Sequence, residues 1–184
     1  MKNLKCLLTI LAGLAFLGIG AQNQDLNVED SNFSWTGKAA FNAYALTGSL
    51  KAEKGEINIV DDYIQALSII INMKSLDHEN SDLKNHLRSA DFFEVNTFER
   101  ATFKLLKPAK LENGKALIVG TMTIKDRSQI ETIAVMFKNG ILSFNHVMDR
   151  TVYGIKYNSP SFFKKMKENA IADNFELKGT LLFR

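Results

Sequence analysis

From Phe33 onward, apolar and polar side chains alternate with a period of two, and this pattern limits the chain to β structure. Successive side chains of a strand point to opposite faces, so such runs are half-buried strands. Phe33, Trp35, Gly37, Ala39 and Phe41 alternate with Ser34, Thr36, Lys38 and Ala40. Tyr44, Leu46, Gly48 and Leu50 alternate with Ala45, Thr47, Ser49 and Lys51. Lys54 and Gly55 read as a turn, 56–60 as a short strand, and Asp61 with Asp62 as the next turn. Residues 63–73 then form a long strand with Leu67, Ile69, Ile71 and Met73 on one face. Further strands are predicted over 101–107, 115–125, 130–138, 141–149, 151–157 and 175–183, with Asn139 and Gly140 as a hairpin turn.

Two stretches interrupt the alternation. Residues 75–95 have helical character, with Leu83 and Leu87 four apart and Ser81 or Asp82 as the cap. Ser159 and Pro160 open a second helical turn whose apolar side is Phe162, Phe163 and Met166. Several strands are apolar at both parities, as in Ile69–Ile70–Ile71 and Leu117–Ile118–Val119. One face then looks into a core or cavity, and the other must be covered. A closed barrel with helices packed against it meets both requirements. No linker or repeat divides the 184 residues, a length that suits one domain. The expected fold is all-β: an extended antiparallel β-barrel with one or two short helical excursions.

The N-terminus reads differently. Lys2 and Lys5 precede an apolar run over 7–19, small residues at Gly20 and Ala21, and a polar Gln22–Asn23–Gln24. This is the order of a secretory signal, and the run is shorter than the ~20 residues of a membrane-spanning helix. Residues 1–21 are therefore expected to be a cleaved signal peptide, and 22–184 the barrel domain of a periplasmic or secreted protein. The rival reading is a retained N-terminal anchor. Cys6, the chain's one cysteine, lies before the apolar run, the wrong side for lipid attachment. The formal net charge of +3 includes Lys2 and Lys5, so the mature chain is nearly neutral. That gives no basis for nucleic-acid binding, which needs a basic face. Loss of Cys6 also removes disulfides and thiol chemistry.

No catalytic constellation emerges. There is no Gly-x-Ser-x-Gly elbow, phosphate-binding loop or dinucleotide fingerprint. His78 and His86 are eight apart, outside common zinc spacings, and read as surface side chains. His146, on an alternating strand, reads as a structural histidine or a polar contact in a cavity. Lys164, Lys165 and Lys167 form a small basic cluster: a solvated face, or a site of transient contact with a membrane surface. The phenylalanines are more informative. Phe92, Phe93, Phe98 and Phe103 cluster around the first helical break, and Phe162 and Phe163 sit on the second. Most aromatic residues pack cores, but pairs on such excursions could also line an apolar ligand cavity.

Some of these residues also resemble a known family. The stretch His86-Leu87-Arg88-Ser89-Ala90-Asp91-Phe92-Phe93, followed by Ala101-Thr102-Phe103, is similar to the YceI-like polyisoprenoid-binding proteins. Gly120-Thr121-Met122-Thr123-Ile124 and Arg150-Thr151-Val152-Tyr153-Gly154-Ile155 resemble two further elements of that family, in the same order. The chain departs from the family pattern at Leu83, Lys84, Phe98, Glu99, Asp126, Ser128 and Val152. The resemblance implies a lipocalin-like barrel enclosing an isoprenoid, quinone or other long-tailed amphiphile, in an exported protein.

The expected function is thus binding of an isoprenoid-like, quinone or fatty-acid-like lipid in an apolar tunnel, without enzymatic activity, metal or cofactor. Phe41, Leu46, Ile69, Ile71, Phe103 and Leu105 are the expected lining, with Phe92, Phe93 and Phe98 beside the helix. Tyr153 and Arg88 are candidate polar contacts, although Arg88 could equally pair with Asp91 and fix the turn after the helix. An apolar barrel mouth would also suit a homodimer. The rival from another class is a solid barrel that binds or inhibits a protein. An enzyme acting on an isoprenoid is a third reading.

Overall fold

The structure, a computed structural model, describes residues 23–163 and 170–184. Among these, nine strands form: β1 (Asn23–Ala39), β2 (Ala45–Val60), β3 (Tyr63–Asp77), β4 (Arg100–Leu105), β5 (Ala109–Lys110), β6 (Lys115–Ile124), β7 (Arg127–Lys138), β8 (Ile141–Asp149) and β9 (Ile171–Phe183). One helix, α1 (Ser81–Arg88), and one 3₁₀ turn (Arg150–Tyr153) interrupt them. Neighbours run in the order β2-β1-β9-β8-β7-β6-β4-β3, and β3 pairs back onto β2. Eight antiparallel strands therefore close into a barrel, and the two-residue β5 is added to β3. Closure satisfies the backbone groups that an open sheet would leave at its edges.

Four two-residue turns set much of the register. Asp61–Asp62, Asn113–Gly114, Lys125–Asp126 and Asn139–Gly140 all have positive φ at both positions. That geometry matches the twist of a tight hairpin and favours Asn, Asp and Gly. Two of these turns follow from the sequence pattern; Lys125–Asp126 does not, because Lys carries no turn signal.

Several elements differ from the sequence expectation. β1 begins at Asn23, ahead of the clear alternation, because Leu26 and Asn27 pair with Phe183 and Leu182. Lys54 and Gly55 do not turn the chain: β2 runs through them, with a register shift between Ala52 and Lys54. Gly55 sits in a close approach there, since a Cβ would stand 3.1 Å from Leu26 and 3.3 Å from the Ser68 carbonyl. The helix is confined to Ser81–Arg88, and its cap is Asn80, whose Oδ1 accepts the Leu83 N–H at 2.9 Å. The strand expected over 151–157 is instead the 3₁₀ turn, closed by Gly154 at φ 82°. At Ser159 the carbonyl accepts from the N–H groups of Phe162 and Phe163. The rest of that expected helical turn lies outside the described residues, as do the expected signal peptide and the Lys164, Lys165 and Lys167 cluster.

The barrel interior is unevenly filled. One end is a packed core in which Ile57, Ile64, Leu67, Ile118, Leu142 and Leu181 are fully buried. Two rings fill space that glycines leave open. A Cβ at Gly120 would lie 2.2 Å from Phe103, and one at Gly179 would lie 2.3 Å from Phe144. The other end, beneath α1, is not filled.

Candidate functional site

Beneath α1 lies a cavity of about 350 Å³, within the ~300–1,000 Å³ range of small-molecule sites. Inward-facing residues of the strands form its wall: Trp35, Leu50, Ile71, Met122, Met148 and Leu177. Leu83 and Leu87 of α1, with Phe92 and Phe93 just after it, cover it from above. Lys38, Asn42 and Tyr44 border it and are exposed, which marks the entrance at the end of β1. Methionine is flexible and polarizable and adapts to irregular apolar shapes; Met73, Met122 and Met148 all line this cavity.

The cover is held by side chain to backbone contacts. Arg88 Nε donates to the Leu76 carbonyl at 2.9 Å and its Nη2 to the Lys74 carbonyl at 2.7 Å, strapping α1 to the end of β3. Asp91 meets His86 instead, at 3.2 Å. Arg88 therefore fixes the helix through carbonyls of β3, and the expected pair with Asp91 does not form.

Arg150 is the one deeply buried charge bordering the cavity among the described residues, at 4% exposure. It sits where β8 ends and β9 begins. Its Nε, Nη1 and Nη2 donate to the carbonyls of Ala172 (3.0 Å), Ile155 (2.9 Å) and Ile171 (3.0 Å). Asp173 stands 4.0 Å away. Burial disfavours the charged form and pulls the guanidinium below its ordinary range, with Asp173 and Asp149 acting in the opposite sense.

A second polar group lies between β7 and β8. Backbone pairing of these strands runs from Lys138↔Ile141 to Val135↔Phe144. Beyond it, Glu131 accepts the Tyr153 hydroxyl at 2.6 Å and meets His146 Nε2 at 2.9 Å. Tyr153 is fully buried, and burial, reinforced by Glu131, drives its hydroxyl well above the ordinary tyrosine range.

A family model for the YceI-like domain matches residues 25–183. The chain belongs to the YceI-like family. A UPF0312 protein of Vibrio parahaemolyticus is 26% identical over 134 residues, covering 70% of this chain and 71% of that one. Other Vibrio relatives are matched over about half of their length. Among solved structures, BcnA of Burkholderia cenocepacia superposes with a TM-score of 0.68 at 18% identity, over 85% of this chain and 98% of that one. A polyisoprenoid binding domain from Saccharophagus degradans superposes with a TM-score of 0.62 at 10% identity, over 90% of this chain and 99% of that one. These structures share the YceI-like barrel, so the all-β antiparallel barrel expected from the alternation is the fold of the chain.

Within this YceI-like barrel, the side chains expected to line a tunnel fall into three groups. Leu46, Ile71, Phe92 and Phe93 border the cavity. Ile69 and Phe103 point inward but belong to the packed core, at 5% and 4% exposure, and Leu105 packs against that core from its edge. Phe41, Phe98 and Tyr153 are elsewhere. Phe41 was expected to face inward and is 66% exposed, because β1 ends at Ala39 and the chain bends before reaching it. Phe98 follows the turns after α1, with Lys125 Nζ 5.6 Å from its ring centre. Tyr153 is bound to Glu131 behind the cavity. His78 differs from the expected surface position: it is buried at 8%, its Nδ1 accepting the Asn80 N–H at 2.9 Å, and its ring packs on Trp35.

Trp35, the methionines and Arg150 were not singled out from the sequence. Trp35 shares the parity of Phe33 and Gly37, so its direction was legible. That it borders a cavity as well as the core depends on the filling of the whole barrel. Arg150 carried a signal only as part of a motif, since nothing local shows that the carbonyls of Ile171 and Ala172, about twenty residues on, converge on it with that of Ile155.

Proposed function

We propose that this protein is an exported carrier or store that holds one long-chain amphiphile, isoprenoid-like or similar, with its tail in the cavity and its head near the entrance. The YceI-like family and the barrel fold support a lipid-binding role. The observation that carries the reading is the apolar cavity walled by six strands and covered by α1. Each methylene moved from water into such a site contributes about 0.8 kcal/mol, so a tail of modest length suffices for tight binding without any reaction. The charge and hydropathy order of residues 1–21 supports export. Among the described residues, those bordering the cavity are mostly apolar, with Lys38, Asn42, Tyr44, Arg150 and Asn174 supplying polar groups, a set suited to holding and orienting a ligand.

The experiment is mass spectrometry of an organic-solvent extract of the purified protein. A stoichiometric isoprenoid or other long-chain amphiphile is the expected result and identifies the ligand class. A clean extract, from protein that also fails to take up added quinones, prenyl lipids and fatty acids, overturns the reading in favour of a protein-binding barrel.

A further inference from the structure

The cavity is apolar along its length and charged at one end. Among the described residues that border it, the charged ones are Lys38 and Arg150, and none is a carboxylate. The two cations belong to the same region of the barrel. Ala39, next to Lys38, pairs with Ile171, and the Ile171 carbonyl accepts from Arg150. Arg150 has five N–H donors, and among the described residues three are taken by backbone carbonyls, which leaves one on Nη1 and one on Nη2.

The acids close to these cations are already engaged. Asp173, 4.0 Å from Arg150, accepts from the hydroxyls of Ser159 and Ser161. Asp149 accepts from the N–H and hydroxyl of Thr151, both at 2.7 Å. Glu176, which feels Lys38, is paired with Lys178 at 3.0 Å. None of the three borders the cavity. A buried guanidinium with two N–H groups not used by these carbonyls and an exposed lysine thus both border the cavity, in the region of its entrance at the end of β1. Burial sharpens the preference, because a charged partner in low dielectric is worth far more than in water.

We propose that the entrance selects a single-chain amphiphile with an anionic head group, a carboxylate or phosphate, which the free N–H groups of Arg150 bind and Lys38 attracts, while the tail runs inward past Trp35 and Leu50. This rests on the lipid-binding reading above and specifies its ligand class. A neutral head of equal chain length leaves the Arg150 donors unpaired and binds more weakly.

Trp35 is the chain's one tryptophan and borders the cavity, so its fluorescence reports occupancy. The full-length protein, stripped of lipid, is titrated at pH 8 and low salt with dodecanoate, dodecyl phosphate and dodecan-1-ol. The two anions are expected to bind at least tenfold more tightly than the alcohol. Lys38→Gln, an exposed substitution, is expected to reduce that ratio severalfold, and Arg150→Gln, where it folds, to abolish it. Equal binding of anion and alcohol by the unsubstituted protein overturns the proposal but leaves the lipid-binding reading in place. An anion preference unchanged in both variants also overturns it. Failure of all three probes to bind overturns both readings together.

Discussion

The indole of Trp35 occupies the space where a side chain at position 48 would stand. Trp35 and Gly48 are paired across β1 and β2, and a Cβ on residue 48 would lie 2.4 Å from Trp35 Cζ2 and 2.2 Å from the Asp77 carbonyl. Neither neighbour is the free end of a flexible chain: one is a buried ring, the other is backbone. Gly48→Ala is therefore expected to destabilise the fold by roughly 1–3 kcal/mol, the usual cost of overpacking. It should also displace Trp35 into the cavity. Urea unfolding measures the first effect. A shifted Trp35 emission with weaker ligand uptake measures the second, and an unchanged emission spectrum would show that the ring does not depend on Gly48.

Ile71 and Phe41 offer a paired test of which side chains face the ligand. Both were expected from the sequence to point inward; Ile71 borders the cavity, whereas Phe41 is exposed on the bend after β1. Ile71→Trp adds a bicyclic ring to a space of about 350 Å³ and is expected to lower lipid affinity by tenfold or more. Phe41→Trp should leave affinity unchanged. Equilibrium titration with a radiolabelled fatty acid checks both without relying on tryptophan fluorescence. Loss of uptake in Phe41→Trp alone would place the ligand outside the cavity described here.

The Tyr153–Glu131 contact predicts how stability depends on pH at the alkaline end. Burial first, then Glu131, raises the Tyr153 hydroxyl above its ordinary value in the folded protein. The unfolded chain ionises this tyrosine near pH ~10 while the folded protein keeps it protonated, so above that pH the unfolded state binds fewer protons. The contribution is complete below pH ~10 and is lost as pH rises through the interval toward the raised folded value. Tyr153→Phe should remove this alkaline slope. At neutral pH it should also cost about 1–3 kcal/mol, because Glu131 loses a buried donor. Unfolding free energies of both proteins between pH 7 and 11 test this; parallel curves would refute it.

How far the sequence carries depends on the range of the interaction that fixes each feature. Alternation identifies β3, β6, β7, β8, much of β9 and, in two pieces, β2, because strand direction is set by residues two apart. Asp61–Asp62 and Asn139–Gly140 announce their turns because positive φ favours those residues locally. The first ten residues of β1 lack that pattern and are ordered by β9 at the far end of the chain, as when Leu26 meets Phe183. The same limit applies to the site. Ile69 and Ile71 have the same direction and chemistry, yet one is core and the other borders the cavity. The difference lies in Phe103, which pairs with Ile69 across β3 and β4 and fills the barrel at that level. Side-chain direction is local, whereas the boundary between core and cavity is a property of all eight strands together.

That boundary can be moved. Phe103 is 4% exposed, its ring covers Gly120, and it pairs across β4 and β6 with Met122, which borders the cavity. The ring thus stands between the cavity and the packed end of the barrel. Phe103→Leu shortens and narrows that side chain without introducing a polar group, at a cost of roughly 1–3 kcal/mol, as for most single core changes. The space released adjoins Met122, whose flexible side chain can move into or away from it. The cavity should then accept a longer tail. Binding measured over a series of alkyl carboxylates is expected to show the affinity maximum moving to a longer chain in Phe103→Leu, while the shortest members bind as before. Each additional methylene accommodated should contribute up to about 0.8 kcal/mol. An unmoved maximum would mean that tail length is limited elsewhere, at the entrance or under α1, and that Phe103 serves only to pack the closed end.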